Sequence, residues 1–186
     1  MELDACIKGR RSVRAYTNEF VSESQLKAII EAGTWAPSGM NRQPWKFIVI
    51  EDKKKIKTVS DETKTLVRKT IPELASRYEI ETEADVICYN APVLILICAE
   101  KDKQMENLNL IDCVLAAQNM FLKAYEQGLG TCYMGFVTLL NTNPEVLRKI
   151  GVPENYQIMV PFILGHPKTK QGAGKRKTPE IKILKA

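Results

Sequence analysis

The sequence contains a single histidine, His166, and this scarcity excludes several kinds of active site. A zinc site with three histidine ligands cannot be built, and His166 lacks the H-E-x-x-H context of a metalloprotease. His166 could serve one nucleophile–histidine pair, but no G-x-S-x-G turn accompanies it. We therefore predict no metal site, and the composition favours either simple binding or a bound cofactor that supplies the reactive group.

Paired cysteines and long apolar runs are also missing. The five cysteines are widely spaced and form no C-x-x-C, so neither a zinc ribbon nor a thioredoxin-type motif is available. The longest apolar run, residues 91–99, is too short to cross a bilayer. The first 14 residues are charged and do not fit a signal peptide. We therefore expect a protein that does not enter membranes and works in the reducing cytoplasm.

Positive charge is present and is concentrated in two places. The net charge of the 186 residues is +5, but residues 168–185 alone carry seven basic side chains and one acidic side chain. A second basic cluster contains Lys8, Arg10, Arg11 and Arg14. Two such clusters on an otherwise near-neutral chain favour an anion site. A solvated basic turn and a basic nucleic-acid-binding domain stay open as alternatives.

Hydrophobic spacing predicts a mixed α+β chain. A capping-box pattern at residues 22–25 predicts the start of a helix, and Asn143 followed by Pro144 predicts another. Residues 108–127 are apolar nearly all round, which predicts a central buried helix. Further helices are expected over residues 3–8 and 52–78, and strands over residues 46–50, 92–99 and 156–165. This order indicates a layered core built on a sheet.

Four segments could carry chemistry. Residues 10–14 present arginine forks and a serine hydroxyl, which suit phosphate oxygens. Residues 35–45 could present polar groups to a flat ligand, or could form a turn that bonds its own backbone. The glycines of residues 128–135 permit close backbone approach, and Cys132 there is either reactive or a small buried side chain. The tail around residues 175–177 is either a disordered arm or a cover for an anionic group.

In this order and at these distances, the four segments resemble the nitroreductase family of flavoenzymes. The matching motifs are RRSVR at residues 10–14, APSGMNRQPWKFIVI at 36–50, NAPVLILI at 90–97, and the pair AAQNM and GLGTCYMG within 116–135. The resemblance implies one α+β domain over residues 1–186, with a mostly antiparallel central sheet in a three-layer α/β/α sandwich. It also implies a homodimer with flavin mononucleotide (FMN) in the cleft between the protomers.

The same resemblance assigns cofactor contacts residue by residue. Arg10 and Ser12 would hold the phosphate and ribityl end of FMN, and Arg14 the pyrimidine edge of the flavin. The loop over residues 37–43 would approach that flavin from the other protomer. The backbone at residues 134–135 would face flavin N5, and lysines of the tail would complete the phosphate site. The predicted cofactor-binding residues are Arg10, Arg11, Ser12, Arg14, Pro37, Ser38, Gly39, Asn41, Gln43, Met134, Gly135, Lys175 and Lys177.

The implied activity is NAD(P)H-dependent reduction of nitroaromatics, quinones or related small-molecule electron acceptors, with no catalytic side chain because the flavin carries the chemistry. Reductive dehalogenation and flavin processing, which occur in the same superfamily, stay open. Residues 52–89 correspond to a variable lid over the flavin and contain no assignable motif. Residues 166–186 form a short basic tail.

Overall fold

Helices of modest length alternate with strands that join one sheet. The computed structural model describes residues 1–169, 171–172 and 174–185. Its helices are α1 (Leu3–Gly9), α2 (Glu23–Thr34), α3 (Lys53–Thr70), α4 (Pro72–Arg77), α5 (Glu106–Glu126) and α6 (Pro144–Ile150). Its strands are β1 (Lys46–Ile50), β2 (Val93–Glu100), β3 (Gly130–Tyr133) and β4 (Tyr156–Gly165), and 3₁₀ turns span Gly39–Asn41 and Gly135–Thr142.

The four strands form one sheet in the order β1-β2-β4-β3, and every neighbouring pair is antiparallel. Alternation along β2 explains why its predicted apolar run is continuous. Ile95 and Ile97 face a core that includes α2 and α5, whereas Leu94 and Leu96 face a core that includes α3 and α6. Helices therefore cover both faces of the sheet, and the predicted three-layer α+β sandwich is confirmed.

Local signals in the sequence fix several element boundaries. The Ser22 hydroxyl accepts a hydrogen bond from Gln25 N, and Ser22 N donates to Gln25 Oε1, which is the predicted capping box of α2. Asn143 caps α6 by accepting from Val146 N, and Gly151 ends that helix at a φ of 95°. Strands β1 and β4 occupy the predicted residues 46–50 and 156–165. Strand β3 was not predicted.

Helix α5 corrects one prediction. Residues 108–127 were expected to form a helix buried all round, but burial is confined to one face that includes Cys113, Ala117 and Met120. Ile111 is 56% exposed and Val114 is 50% exposed on the opposite face. Helix α5 is apolar on both faces, but within this chain only one of these faces packs on the sheet.

All five cysteines are buried and unpaired: Cys6, Cys88, Cys98, Cys113 and Cys132. Burial raises the pKa of the Cys98 and Cys113 thiols to about 12, so both remain protonated in neutral solution. Across residues 1–169, 171–172 and 174–185, no helix is both long and apolar enough to span a membrane.

Candidate functional site

The basic segment over residues 10–14 runs alongside β3. Ser12 forms a parallel bridge with Thr131, and Val13 N donates to Thr131 O at 2.9 Å. Val13 is buried, and Gly130 leaves room for it, because a Cβ on Gly130 would lie 2.5 Å from the Val13 side chain. Side chains alternate along an extended chain. Alternation places Ser12 and Arg14 on the side opposite Val13, whereas Arg10 lines a cavity together with Arg11 and Val13.

Cys132 lies next to that polar row. Burial raises the pKa of the Cys132 thiol, while Arg14, a hydrogen bond with Ser12, and Arg10 act to lower it, in that order. All three side chains therefore lie near enough to Cys132 to act on its thiol. Because burial dominates and the residue is only 2% exposed, the thiol stays protonated. The structure favours the interpretation of Cys132 as a small buried side chain.

A cavity of about 300 Å³ opens at the end of this row. Arg14, Met134 and Gly135, which the sequence analysis placed around one cofactor ring, line it together. Its remaining walls are aromatic and aliphatic, and Arg14 is the charged member among the lining residues. They are Tyr78, Ile80, Val86, Ile87, Tyr89, Tyr133 and Phe136. Flat apolar walls with one cation and exposed backbone suit a planar ring that carries carbonyl groups.

The region predicted as a lid, residues 52–89, has two structural roles. Helix α3 packs one side on the core through residues such as Ile56, Val59 and Val67. The later part of the region supplies five of the cavity's lining residues, beginning at Tyr78, whose ring packs edge-on against Phe136. Only this later part can contact a ligand in the cavity.

A second cavity, of about 350 Å³, lies at the other end of the basic segment. Arg10 and Arg11 line it with residues of β3 and of the tail up to Gln171. The Arg11 guanidinium donates to the carbonyls of Lys8, Arg10 and Gly172. Through these bonds the Arg11 guanidinium contacts backbone carbonyls and links the start of the tail to the basic segment.

The loop over residues 37–43 is strained and internally bonded. Met40, Asn41 and Gln43 adopt φ values of 54°, 53° and 48° in the left-handed region. Ser38 Oγ accepts from Gln43 N at 3.0 Å, and Gln43 Nε2 donates to Asn41 Oδ1 at 3.0 Å. Some polar groups of the loop are thus hydrogen-bonded within the loop itself. This agrees with the interpretation of the segment as a turn that bonds its own backbone.

Helix α5 anchors this loop through polar residues that the sequence analysis missed. Gly39 N donates to Asp112 Oδ1 at 3.1 Å, and the Arg42 guanidinium donates to Asn109. Arg42 also lies 3.9 Å from the second oxygen of Asp112, which is 1% exposed. The sequence does contain a signal for this anchor. Asn109 and Asp112 are polar residues three positions apart in an apolar stretch, and residues with that spacing share one face of a helix.

The predicted site residues do not all meet within one chain. The loop over residues 37–43 precedes β1 at one edge of the sheet, whereas residues 10–14 flank β3 at the other edge. Three strand spacings separate these edges, which amounts to about 14 Å. Lys175 and Lys177 are exposed, and the described side-chain hydrogen bonds around them are local ones made by Arg176. Lys170, Ala173 and Ala186 of the predicted tail lie outside the described residues.

Comparison with known proteins agrees with this geometry. A nitroreductase with bound FMN from Bacteroides fragilis is similar at a TM-score of 0.84 and 30% identity, covering 100% of both chains. A nitroreductase with bound FMN from Desulfitobacterium hafniense has a TM-score of 0.86 and 27% identity over 100% of both chains. An FMN reductase [NAD(P)H] of Bacillus subtilis is 29% identical, over 96% of this chain and 71% of its own length.

The sequence also matches the Nitroreductase family over residues 7–166. That range includes the basic segment, the loop over residues 37–43, the whole sheet and the aromatic cavity. It ends where the basic tail begins, so the roles of the tail lysines are not covered by the match. On the fold, the cavity and this match together, the chain belongs to the nitroreductase family.

Proposed function

We propose that this protein is an FMN-dependent oxidoreductase that uses NAD(P)H to reduce small-molecule acceptors such as nitroaromatics or quinones. The observation that carries the proposal is the meeting of Arg14, Met134 and Gly135 around one aromatic cavity. The FMN-bound structures and the FMN reductase to which the chain is similar support it. We assign the whole of residues 1–186 to a single domain, located in the cytoplasm.

The residues present fit FMN. Arg10 and Ser12 offer a guanidinium and a hydroxyl for the phosphate and ribityl end, in the same segment beside β3 as Arg14. The aromatic and aliphatic cavity walls suit the isoalloxazine ring. Bound FMN would supply the redox chemistry by accepting a hydride at N5 and passing reducing equivalents to the acceptor.

Arg14 and the backbone near Gly135 would act directly on the ring. A guanidinium at the pyrimidine edge stabilises negative charge on a reduced ring, because a fixed cation in a cavity is poorly screened. Met134 N already donates to Pro161 O at 2.9 Å. Gly135 begins a 3₁₀ turn, where the first N–H groups lack partners within the helix, so its N–H is the better candidate to face N5.

We propose a homodimer because each chain holds only part of the site. The loop over residues 37–43 and the basic segment lie at opposite sheet edges, so a partner's loop would complete each site. Helix α5 contacts that loop through the buried Asp112, and the exposed apolar face of the same helix offers a surface for pairing. Its large exposed side chains are Leu110, Ile111, Val114 and Leu115, and the tail adds Ile181, Ile183 and Leu184.

We propose a ping-pong order in which NAD(P)H and the acceptor use the same open cavity in turn. The purified protein should be yellow, with flavin absorbance that NADH or NADPH bleaches under anaerobic conditions. A colourless protein that takes up no added FMN would contradict the proposal.

A screen of acceptors against the reduced protein, with halide release recorded, separates nitro or quinone reduction from reductive dehalogenation. Appearance of flavin breakdown products in air would instead indicate flavin processing.

A further inference from the structure

The turn that leads into β2 is organised by one carboxylate. Asp85 Oδ1 accepts hydrogen bonds from Ser60 Oγ at 2.6 Å, Cys88 N at 2.8 Å and Ile87 N at 3.2 Å. Its second oxygen accepts from Asn90 N at 3.0 Å. The carboxylate thus fixes the backbone on both sides of residue 89 and ties it to helix α3.

This turn holds two successive residues in the left-handed region. Tyr89 has a φ of 52° and Asn90 a φ of 51°. Asparagine tolerates this conformation, whereas a tyrosine adopts it only when its surroundings enforce it. A backbone conformation enforced in this way indicates that the direction of the Tyr89 side chain matters for function.

The Tyr89 side chain lies close to Arg14. The Tyr89 ring centroid lies 6.0 Å from the Arg14 guanidinium carbon, within reach of a cation–π contact. Tyr89 and Arg14 both line the cavity of about 300 Å³. Burial raises the pKa of the Tyr89 phenol, so the ring beside the guanidinium carries a neutral hydroxyl.

We propose that Tyr89 is a positioning residue that orients the Arg14 guanidinium, and that the Asp85 turn fixes Tyr89 for this task. The inference rests on the proposed FMN site, in which Arg14 meets the pyrimidine edge of the flavin. A guanidinium held in one orientation favours the negatively charged reduced ring over the neutral oxidised ring. Tyr89 therefore tunes the reduction potential of bound FMN without contacting N5.

The test is Tyr89→Leu, which removes the ring that lies beside the Arg14 guanidinium. We expect the reduced form to be bound about tenfold less favourably relative to the oxidised form, a fall of about 30 mV for a two-electron couple. The midpoint potential of the bound flavin is measured by anaerobic titration. Tyr156→Leu is the matched control, because Tyr156 also has a cation over its ring, Lys46 at 4.7 Å, outside the cavity.

The two proposals fail in distinguishable ways. If the wild-type protein binds no FMN, the proposed function fails first. If wild type and Tyr89→Leu both bind FMN and share one midpoint potential, the role of Tyr89 is refuted while the function stands. Asp85→Asn, which loses the acceptor for Asn90 N, should lower the potential in the same direction. An unchanged potential in that variant overturns the role of the Asp85 turn.

Discussion

Arg14 has the largest electrostatic influence in the aromatic cavity, because it is the one charged side chain among the described residues that line it. Arg14→Ala removes both its charge and its fork of donors. Hydrogen bonds that involve a charged group contribute about 1.5–3 kcal/mol, so FMN should bind roughly 10- to 100-fold more weakly. Equilibrium dialysis of FMN and stopped-flow reduction by NAD(P)H measure the effect.

Two further variants show whether charge or geometry matters at that position. Arg14→Lys keeps the charge but loses the planar fork, so its FMN affinity should fall between those of the wild type and Arg14→Ala. Arg148→Ala, an exposed arginine in α6, should leave affinity and reduction rate unchanged. Normal FMN binding and normal reduction kinetics in Arg14→Ala would refute the role assigned to Arg14.

Asp112 acts on stability as well as on the site. Asp112→Ala leaves Gly39 N without its acceptor and removes the carboxylate that lies 3.9 Å from the Arg42 guanidinium. The orphaned donor costs about 1–3 kcal/mol, and the strained loop over residues 37–43 should loosen. Urea unfolding should show this loss, together with weaker FMN retention. Asp61→Ala, which breaks an exposed pair with Lys57, should cost at most about 1 kcal/mol. Equal stability losses in the two variants would contradict the anchoring role.

Among the elements, β3 depends on how closely the basic segment approaches it. Gly130→Ala would place a Cβ 2.5 Å from Val13, so residues 10–14 must move away from the strand. We expect weaker FMN binding together with a lower melting temperature, measured by dialysis and calorimetry. Gly172→Ala is the control, because a Cβ there would meet no atom within 4 Å. Unchanged FMN affinity in Gly130→Ala would mean that this approach does not position the basic segment.

The elements that the sequence predicted well carry their own signals, as the Ser22 cap of α2 and the run of apolar residues in β1 show. Strand β3 was missed because its four residues form no hydrophobic run, and it exists through pairing with the long β4. The environment of α5 was misjudged for a related reason. A helix that is apolar on both faces is predicted to be buried. The sequence does not show whether each face packs against the same chain or against a second chain.

For the molecule as a whole, the central expectation is that pairing of two chains completes the site. Ile111→Glu places a charge on the exposed apolar face of α5, where burial without a partner charge is costly. Light scattering coupled to gel filtration should show a shift from dimer towards monomer, with loss of bound FMN. Lys149→Glu in α6 reverses an exposed charge away from this face and should leave the mass unchanged. A variant Ile111→Glu that stays dimeric and yellow would contradict the proposed interface.

The candidate site was predictable in its parts and only partly in its assembly. Motifs identified Arg14, Met134 and Gly135, which the fold brings to one cavity. Asp85 could not be found from the sequence because an isolated acidic residue carries no pattern. The importance of both Asp85 and Asp112 arises from backbone groups that only the fold brings near them. The tail lysines, Lys175 and Lys177, remain a prediction.

The five buried thiols give the protein an internal reporter of its own opening. A water-soluble thiol reagent can reach Cys98 and Cys113, which lie in the sheet and in α5, only when the core layers separate. Cys6, in the short terminal helix α1, becomes accessible by local fraying. The labelling rate of each cysteine, measured by mass spectrometry, thus gives the free energy of local opening in its region, with no cysteine introduced by mutation.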